Sequence, residues 1–263
     1  GGAEHAVMHL LFARFWTKVL YDAGIVSFSE PFSKLMNQGM LLASDGQKMS
    51  KSRPQTVVIP ETVAARFGAD AVRCYEMFMG PFDQEVQWDE RGLAGIYRFL
   101  NRVWDIALAT CRGDGADDAA LRKVMHKTIN RVTTDLERLH FNTMISALME
   151  YVNYLHVARS QNVSASAWNE AIAALVLMLA PSAPHLAEEL WQRLGRAYSV
   201  HQQEWPLFNP DLVVEDTITL IVQVGGKVRD KLVAPADISE DDAKGLALDS
   251  ARVKPWLAGK KIA

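Results

Sequence analysis

Apolar positions in this chain follow a helical period through most of its length and switch to strict alternation only near the end. From residue 96, Ile96, Phe99, Leu100, Val103, Trp104, Ala107 and Leu108 keep a 3.6-residue rhythm without a slip, which predicts an amphipathic helix with one buried face. After the polar loop Arg112–Asp118, similar stripes return in 121–139 (Leu121, Val124, Met125, Thr128, Val132, Leu136, Leu139), 143–159, 168–180 and, past a group of prolines, 185–194. Helices of this kind must cover one another's apolar faces, so 96–208 is expected to form a helical bundle. The Pro/Asn-rich stretch Trp205–Asp211 marks a boundary. Beyond it Thr217–Val224 alternates as a strand should, Gly225-Gly226 predicts a hairpin into Lys227–Val233, and a helix is expected near Glu240–Leu248. Residues 212–263 thus predict a small α+β domain.

The first 95 residues are less regular. Ala6, His9, Leu10 and Ala13, with Phe12, Trp16, Val19 and Leu20, lie near helical spacing and predict a helix from about Glu4. In 39–49, apolar residues flank Asp45-Gly46, a pair that takes the positive φ angles of a tight turn, so a short hairpin should deliver Lys48 onward. Residues 61–80 predict two helices split at Phe67-Gly68, with Asp70 close to the start of the second. The class is multidomain and mainly α.

Composition narrows the partners. The longest apolar run, Ala171–Ala180, is well short of the roughly 20 residues that cross a bilayer, and no leader opens the chain, so a cytoplasmic protein without a membrane partner is expected. Cys74 and Cys111 stand far apart, which supports neither a disulfide nor a Cys-based zinc site and predicts two buried thiols. A net charge of -3 means that any contact with RNA must be local rather than driven by a global basic excess. The chain opens at Gly1, without Met and inside what reads as a motif, as expected for an excised piece.

The sharpest chemical signal is Lys48-Met49-Ser50-Lys51-Ser52. Two lysines on a loop can bring point charges to a triphosphate, while the serines and the loop backbone supply further donors to its oxygens. Charge builds on departing pyrophosphate when a carboxylate attacks an α-phosphate, and a lysine that engages more strongly then than before lowers the barrier. Lys51 is the first candidate for that role and Lys48 the second. An arbitrary Lys/Ser stretch is usually no more than a solvated loop. This pentapeptide, however, resembles the KMSKS signature of class I aminoacyl-tRNA synthetases, and five fixed residues would match by chance in about one chain of this size in ten thousand.

Other segments carry the resemblance toward the bacterial-type leucyl-tRNA synthetases. Gly1-Gly2-Ala3-Glu4-His5-Ala6-Val7-Met8-His9-Leu10-Leu11 is similar to that family's GGxEHAxxHLL segment, and Gln38 matches a further pocket position. Phe67–Arg73, Gln87-Trp88, Tyr97–Trp104, Ala180–Trp191 and Val222–Asp230 resemble it too, so the likeness spans nearly the whole chain. It lapses after the loop, where Arg53-Pro54-Gln55-Thr56 stands in place of the usual Gly-Asn; proline predicts a stiffer loop.

The resemblance implies a leucine-activating ligase that uses ATP with Mg2+ and then charges tRNA(Leu). Residues 1–60 would be the end of a Rossmann-like α/β catalytic domain, 61–95 a stem-contact connector, 96–208 an anticodon-binding bundle and 212–263 a tRNA-binding domain that the chain leaves incomplete. Lys48, Met49, Ser50, Lys51 and Ser52 would meet ATP, and Gly2, Glu4, His5, His9 and Gln38 the aminoacyl-adenylate. His5 and His9, four apart, are expected to be polar partners rather than a zinc pair, and no metal site is expected. An upstream half with the HIGH-type histidines and an editing insertion is implied but is not in these residues. The family further implies a monomer, and the isolated chain is expected to be inactive.

Candidate RNA contacts are Arg98 and Arg102, one turn apart; Lys123, Lys127 and Arg131 at spacing four; and Lys227, Arg229 and Lys231, alternating on one strand face. Solvated helix faces show similar rows. His185 and Trp191 are expected to be core. Two readings compete with the leucine enzyme: a non-catalytic RNA-binding module of the same ancestry, and a sister isoleucyl, valyl or methionyl enzyme.

Overall fold

The computed structural model describes residues 3–214, 217–236 and 238–257. The chain divides after Phe208 into two compact units.

The first unit opens with a 3-10 turn at Ala3–His5 and a π-helical stretch at Ala6–Leu11, which continue into α1 (Phe12–Asp22). The expected helix is therefore present, with its first turns wound differently. His5 approaches Glu4 at 3.9 Å, and the His9 ring lies 5.9 Å from that of Phe32. Arg14 donates twice to Glu30 (2.8 and 2.7 Å) and Lys18 once (3.0 Å), which fastens α1 to the following loop. Hydrogen bonds from Arg14, then from Lys18, hold the Glu30 carboxyl down at about 2.

Two helices follow the lysine loop, α2 (Pro60–Phe67) and α3 (Ala69–Phe78), separated where Gly68 takes φ 87°. Only glycine adopts that angle without strain. The bundle comprises α4 (Glu90–Ala107), α5 (Asp118–Glu137), α6 (Phe141–Ala158), α7 (Ala165–Leu179) and α8 (Pro184–Arg193). Most of each predicted stripe is buried: Leu93, Ile96 and Val103 from α4, Leu121 and Val132 from α5, Leu148 and Leu155 from α6, and Leu175 and Leu179 from α7 share one core with Cys74 and Cys111, whereas Leu108 is exposed at the end of α4 and Leu139 lies past the end of α5 at φ 60°. Asp89 and Ser164 cap α4 and α7 by accepting from Arg91 N and Ala167 N. The polar loop before α5 is tied down, since Asp118 accepts from Ser164 N and Ser164 Oγ (2.8 and 2.6 Å).

Two polar links join the 61–95 segment to the bundle. Buried Asp70, in the first turn of α3, accepts from Leu186 N and pairs with His185 Nδ1, both at 2.7 Å. It thereby satisfies an orphan amide at the start of α8, whose N-cap residue, Ala183, has no side chain able to do so. Arg73 donates to Pro181 O at 3.1 Å. The expectation of core packing thus holds for Trp191, which is buried with its Nε1 bonded to Ala197 O, but not for His185, whose side chain is exposed and held by Asp70. Within the 61–95 segment itself, the Tyr75 hydroxyl donates to Asp89 O and its ring meets Trp88 edge-on. Gly92 makes room for that ring, since a Cβ there would lie 2.6 Å from Tyr75 Cε2.

Two short strands, β1 (Leu41–Leu42) and β2 (Val86–Gln87), lie in the first unit. The second unit contains the short helix α9 (Pro210–Val213), the antiparallel strands β3 (Thr217–Val224) and β4 (Lys227–Pro235), α10 (Glu240–Asp249) and α11 (Lys254–Leu257). Register slips between Val222 and Gln223, which pair with Asp230 and Val228, so Arg229 is the extra residue of a β-bulge. The bulge corrects the expected row of like charges. Arg229 stacks on Trp256 (3.4 Å to the ring centroid) and Asp230 accepts from Ser250 Oγ at 2.5 Å, both on the side facing the helices. Lys231 is opposite Ile221 on the exposed side. Lys231 is therefore not on the same face as Arg229.

Candidate active site

The lysine loop hangs from a two-residue strand. β1 (Leu41–Leu42) pairs in parallel with β2 (Val86–Gln87) through Val86 N to Met40 O and Trp88 N to Leu42 O, both 3.0 Å. After β1 the chain turns back: Ala43 N donates to Gln47 O, Gly46 N to Ala43 O, and a single bridge joins Leu42 to Lys48. Gly46 has φ 75°, as its Asp-Gly pair predicts. Asp45 Oδ1 accepts from Gln47 N at 3.0 Å; that bond and then Arg53 hold its carboxyl below the ordinary range.

Within the loop, Met49 is half-buried and packs against the bundle core, which anchors the base while Lys48 and Lys51 project outward, exposed. Among the described residues neither lysine pairs with a carboxylate. Ser50 Oγ and Ser52 Oγ share a 2.8 Å hydrogen bond, and Ser52 N donates to Ser50 Oγ. Arg53 donates to Asp45 Oδ2 and to Lys48 O, each at 2.8 Å. Pro54–Thr56 forms a 3-10 turn with proline at its first position, where the missing N–H costs nothing. The loop can therefore offer two unneutralised ammonium groups to a polyanion.

The other candidate residues are spread more widely. Gln38 lines a cavity of about 400 Å3 with Met40, Arg73, Glu76, Phe82 and Phe141, in which burial pushes the Glu76 carboxyl up. Gly39 beside it allows a close backbone approach, because a Cβ would overlap Gln84 O. Glu4, His5 and His9 are exposed on the first helix, and among the described residues no hydrogen bond or ion pair joins them to the lysine loop. Gly2 lies outside the described residues.

Of the RNA candidates, Arg98 and Arg102 are exposed along α4, with no ion pair among the described residues. Arg131 is engaged by Glu150 at 2.6 Å, and Lys123 and Lys127 are half-buried. Sequence reasoning missed β2, the Asp70 link and the Arg53 bridge. Each joins residues too far apart for a local period to reveal; only the charge complementarity of Asp45 and Arg53 was there to be read.

Residues 11–89 match the family of class I tRNA synthetases for I, L, M and V, and residues 118–243 match the anticodon-binding domain of tRNA ligase. Over these two segments the chain is similar to class I tRNA synthetases.

Relatives that match its whole length include leucine–tRNA ligases. That of Dehalococcoides mccartyi (strain ATCC BAA-2266) is 50% identical over 264 residues, covering 99% of this chain and 32% of the relative. That of Rubrobacter xylanophilus is 46% identical over 263 residues, with 100% and 32% covered. The chain thus spans about a third of the length of the curated relatives it matches. Among solved structures, the LeuRS–tRNA–LeuAMS ternary complex of Agrobacterium radiobacter K84 agnB2 superposes with a TM-score of 0.75 at 34% identity, covering 100% of this chain and 36% of that one. The methionyl-tRNA synthetase of Mycobacterium tuberculosis with methionyl-adenylate gives 0.50 at 22% identity, covering 70% and 42%, a likeness of fold alone.

Proposed function

We propose that this chain is part of a leucine–tRNA ligase, in which it supplies the pyrophosphate-side loop of the adenylation site and surfaces that dock tRNA(Leu). The observation that carries the reading is the pair of exposed lysines, without a carboxylate partner among the described residues, on a motif loop whose base is fixed by Met49 and Arg53. In the reaction, the leucine carboxylate attacks the α-phosphorus of MgATP, the bond to the β-phosphate oxygen breaks, and pyrophosphate leaves. Lys51 stabilises the charge gathering on that leaving group and Lys48 assists, while Ser50 and Ser52 offer hydroxyls to the same oxygens. Gly2, Glu4, His5, His9 and Gln38 border the aminoacyl-adenylate in this reading. Arg98 and Arg102 are the exposed bundle cations for an RNA backbone, with the other basic candidates secondary.

Residues 1–60 then complete the catalytic domain, 61–95 connect it to the bundle of 96–208, and 212–263 reach the tRNA. The first helix supports this arrangement, since Val7, Met8, Leu11, Phe15 and Trp16 are exposed and give an upstream nucleotide-binding half an apolar face to pack on. The enzyme is a cytoplasmic monomer in the same reading.

Pyrophosphate exchange by the full-length enzyme tests the proposal. Exchange should depend on leucine and stay at least a hundredfold weaker with isoleucine, valine or methionine. Equal exchange with one of those would move the chain to a sister enzyme. A silent full-length enzyme that still binds tRNA would leave the non-catalytic reading.

A further inference from the structure

We infer that Arg53 is a positioning residue for the adenylation step, a fork that joins the hairpin turn to the lysine loop and fixes where Lys48 and Lys51 can reach. The inference rests on the reading of the loop as the pyrophosphate-side element.

Arg53 follows the motif directly, and its guanidinium spans two places: Nη1 donates to Asp45 Oδ2 and Nη2 to Lys48 O, both at 2.8 Å. One acceptor belongs to the turn that precedes the loop, the other to the loop's first residue. Its own amide donates to Ser50 O at 2.9 Å, and its carbonyl accepts from Thr56 N and Thr56 Oγ1 (2.9 and 2.8 Å). Arg53 thereby closes a ring around Lys48–Ser52 from both ends. The Leu42–Lys48 bridge and the bonds from Ala43 N to Gln47 O and Gly46 N to Ala43 O hold the hairpin itself, and the fork adds the side-chain contact that joins its turn to the first residue of the loop.

This arrangement assigns different work to three adjacent cations. Asp45 neutralises Arg53 and pins its fork, whereas Lys48 and Lys51 have no carboxylate partner among the described residues. Arg53 thus acts through geometry and the lysines through charge. Its planar fork suits bridging two acceptors; a lysine in its place restores the charge without the fork. A displacement of about 1 Å in a group that must meet a developing charge is enough to cost up to a hundredfold in rate.

The experiment is a set of substitutions in the full-length enzyme, read by leucine-dependent pyrophosphate exchange with melting temperature measured alongside. Arg53→Ala should lower kcat about ten- to a hundredfold and leave KM for leucine within about twofold. Arg53→Lys should remain within about threefold of Arg53→Ala, because charge alone does not rebuild the fork. Asp45→Ala should also lower kcat, and the double substitution should be no slower than Arg53→Ala alone, the signature of one shared bridge. In a Lys51→Ala background, Arg53→Ala should cost less than about threefold, since it acts through the lysines. If Arg53→Ala loses its fold, Arg53→Lys and Asp45→Ala decide instead. An Arg53→Ala kcat within twofold of the parent, full rescue by Lys, or losses that multiply in the double variant would overturn the inference and leave the functional reading standing. A silent parent enzyme would reject that reading and this inference with it.

Discussion

Lys51→Ala in the full-length enzyme is expected to lower kcat for leucine-dependent pyrophosphate exchange by roughly a hundred- to a thousandfold, the usual loss when one group that stabilises developing charge is removed. KM for leucine should stay within about twofold if, as proposed, the side chain engages the phosphates rather than the amino acid. The structure makes this a clean measurement. Lys51 is exposed and, among the described residues, makes no ion pair, so its truncation disturbs no packing and should change stability by no more than about 0.5 kcal/mol. A rise in KM at unchanged kcat would mean that Lys51 only binds the ground state. The same substitution at Lys48 should cost less: its carbonyl and its pairing with Leu42 hold the loop through the backbone, which alanine preserves.

Trp168→Ala is expected to have the largest effect on folding, about 3–5 kcal/mol. Trp168 heads the fully buried side chains of the core and is only 1% exposed. Its Nε1 donates to Ala109 O at 2.8 Å, which ties α7 to the chain leaving α4. Alanine would leave both a cavity and an unpaired carbonyl, so two penalties add. For a unit of this size the melting temperature should fall by on the order of 10 °C. Trp168→Phe, which keeps the ring and loses the N–H, should fall between parent and alanine. A thermal or urea melt checks the pair; a shift below about 2 °C for the alanine variant would show that the bundle does not rely on this contact.

The bundle was legible in the sequence because its signal is local. Most turns of α4 to α8 repeat an apolar position three or four residues on, and ahead of the bundle Gly68 marks the break between α2 and α3. The lysine loop was legible for a different reason, as five residues whose order carries chemistry. What escaped the sequence depends on distance or on a single irregular residue. β2 is two residues long and pairs with β1 across more than forty positions, so no alternation announces it. His185 lies in an apolar helix entry, and only the fold shows it turned outward toward Asp70. Arg229 has the right parity for a common face with Lys231, and the bulge at that residue breaks the parity. The π winding at Ala6–Leu11 has no sequence signature that we can name.

Amine-selective labelling of the full-length enzyme, with and without ATP and leucine, tests the central claim most directly. If the two ammonium groups meet the nucleotide's phosphates, Lys48 and Lys51 should be modified readily in the free enzyme and shielded together when the substrates bind. Equal modification of both residues at saturating ATP and leucine would contradict it.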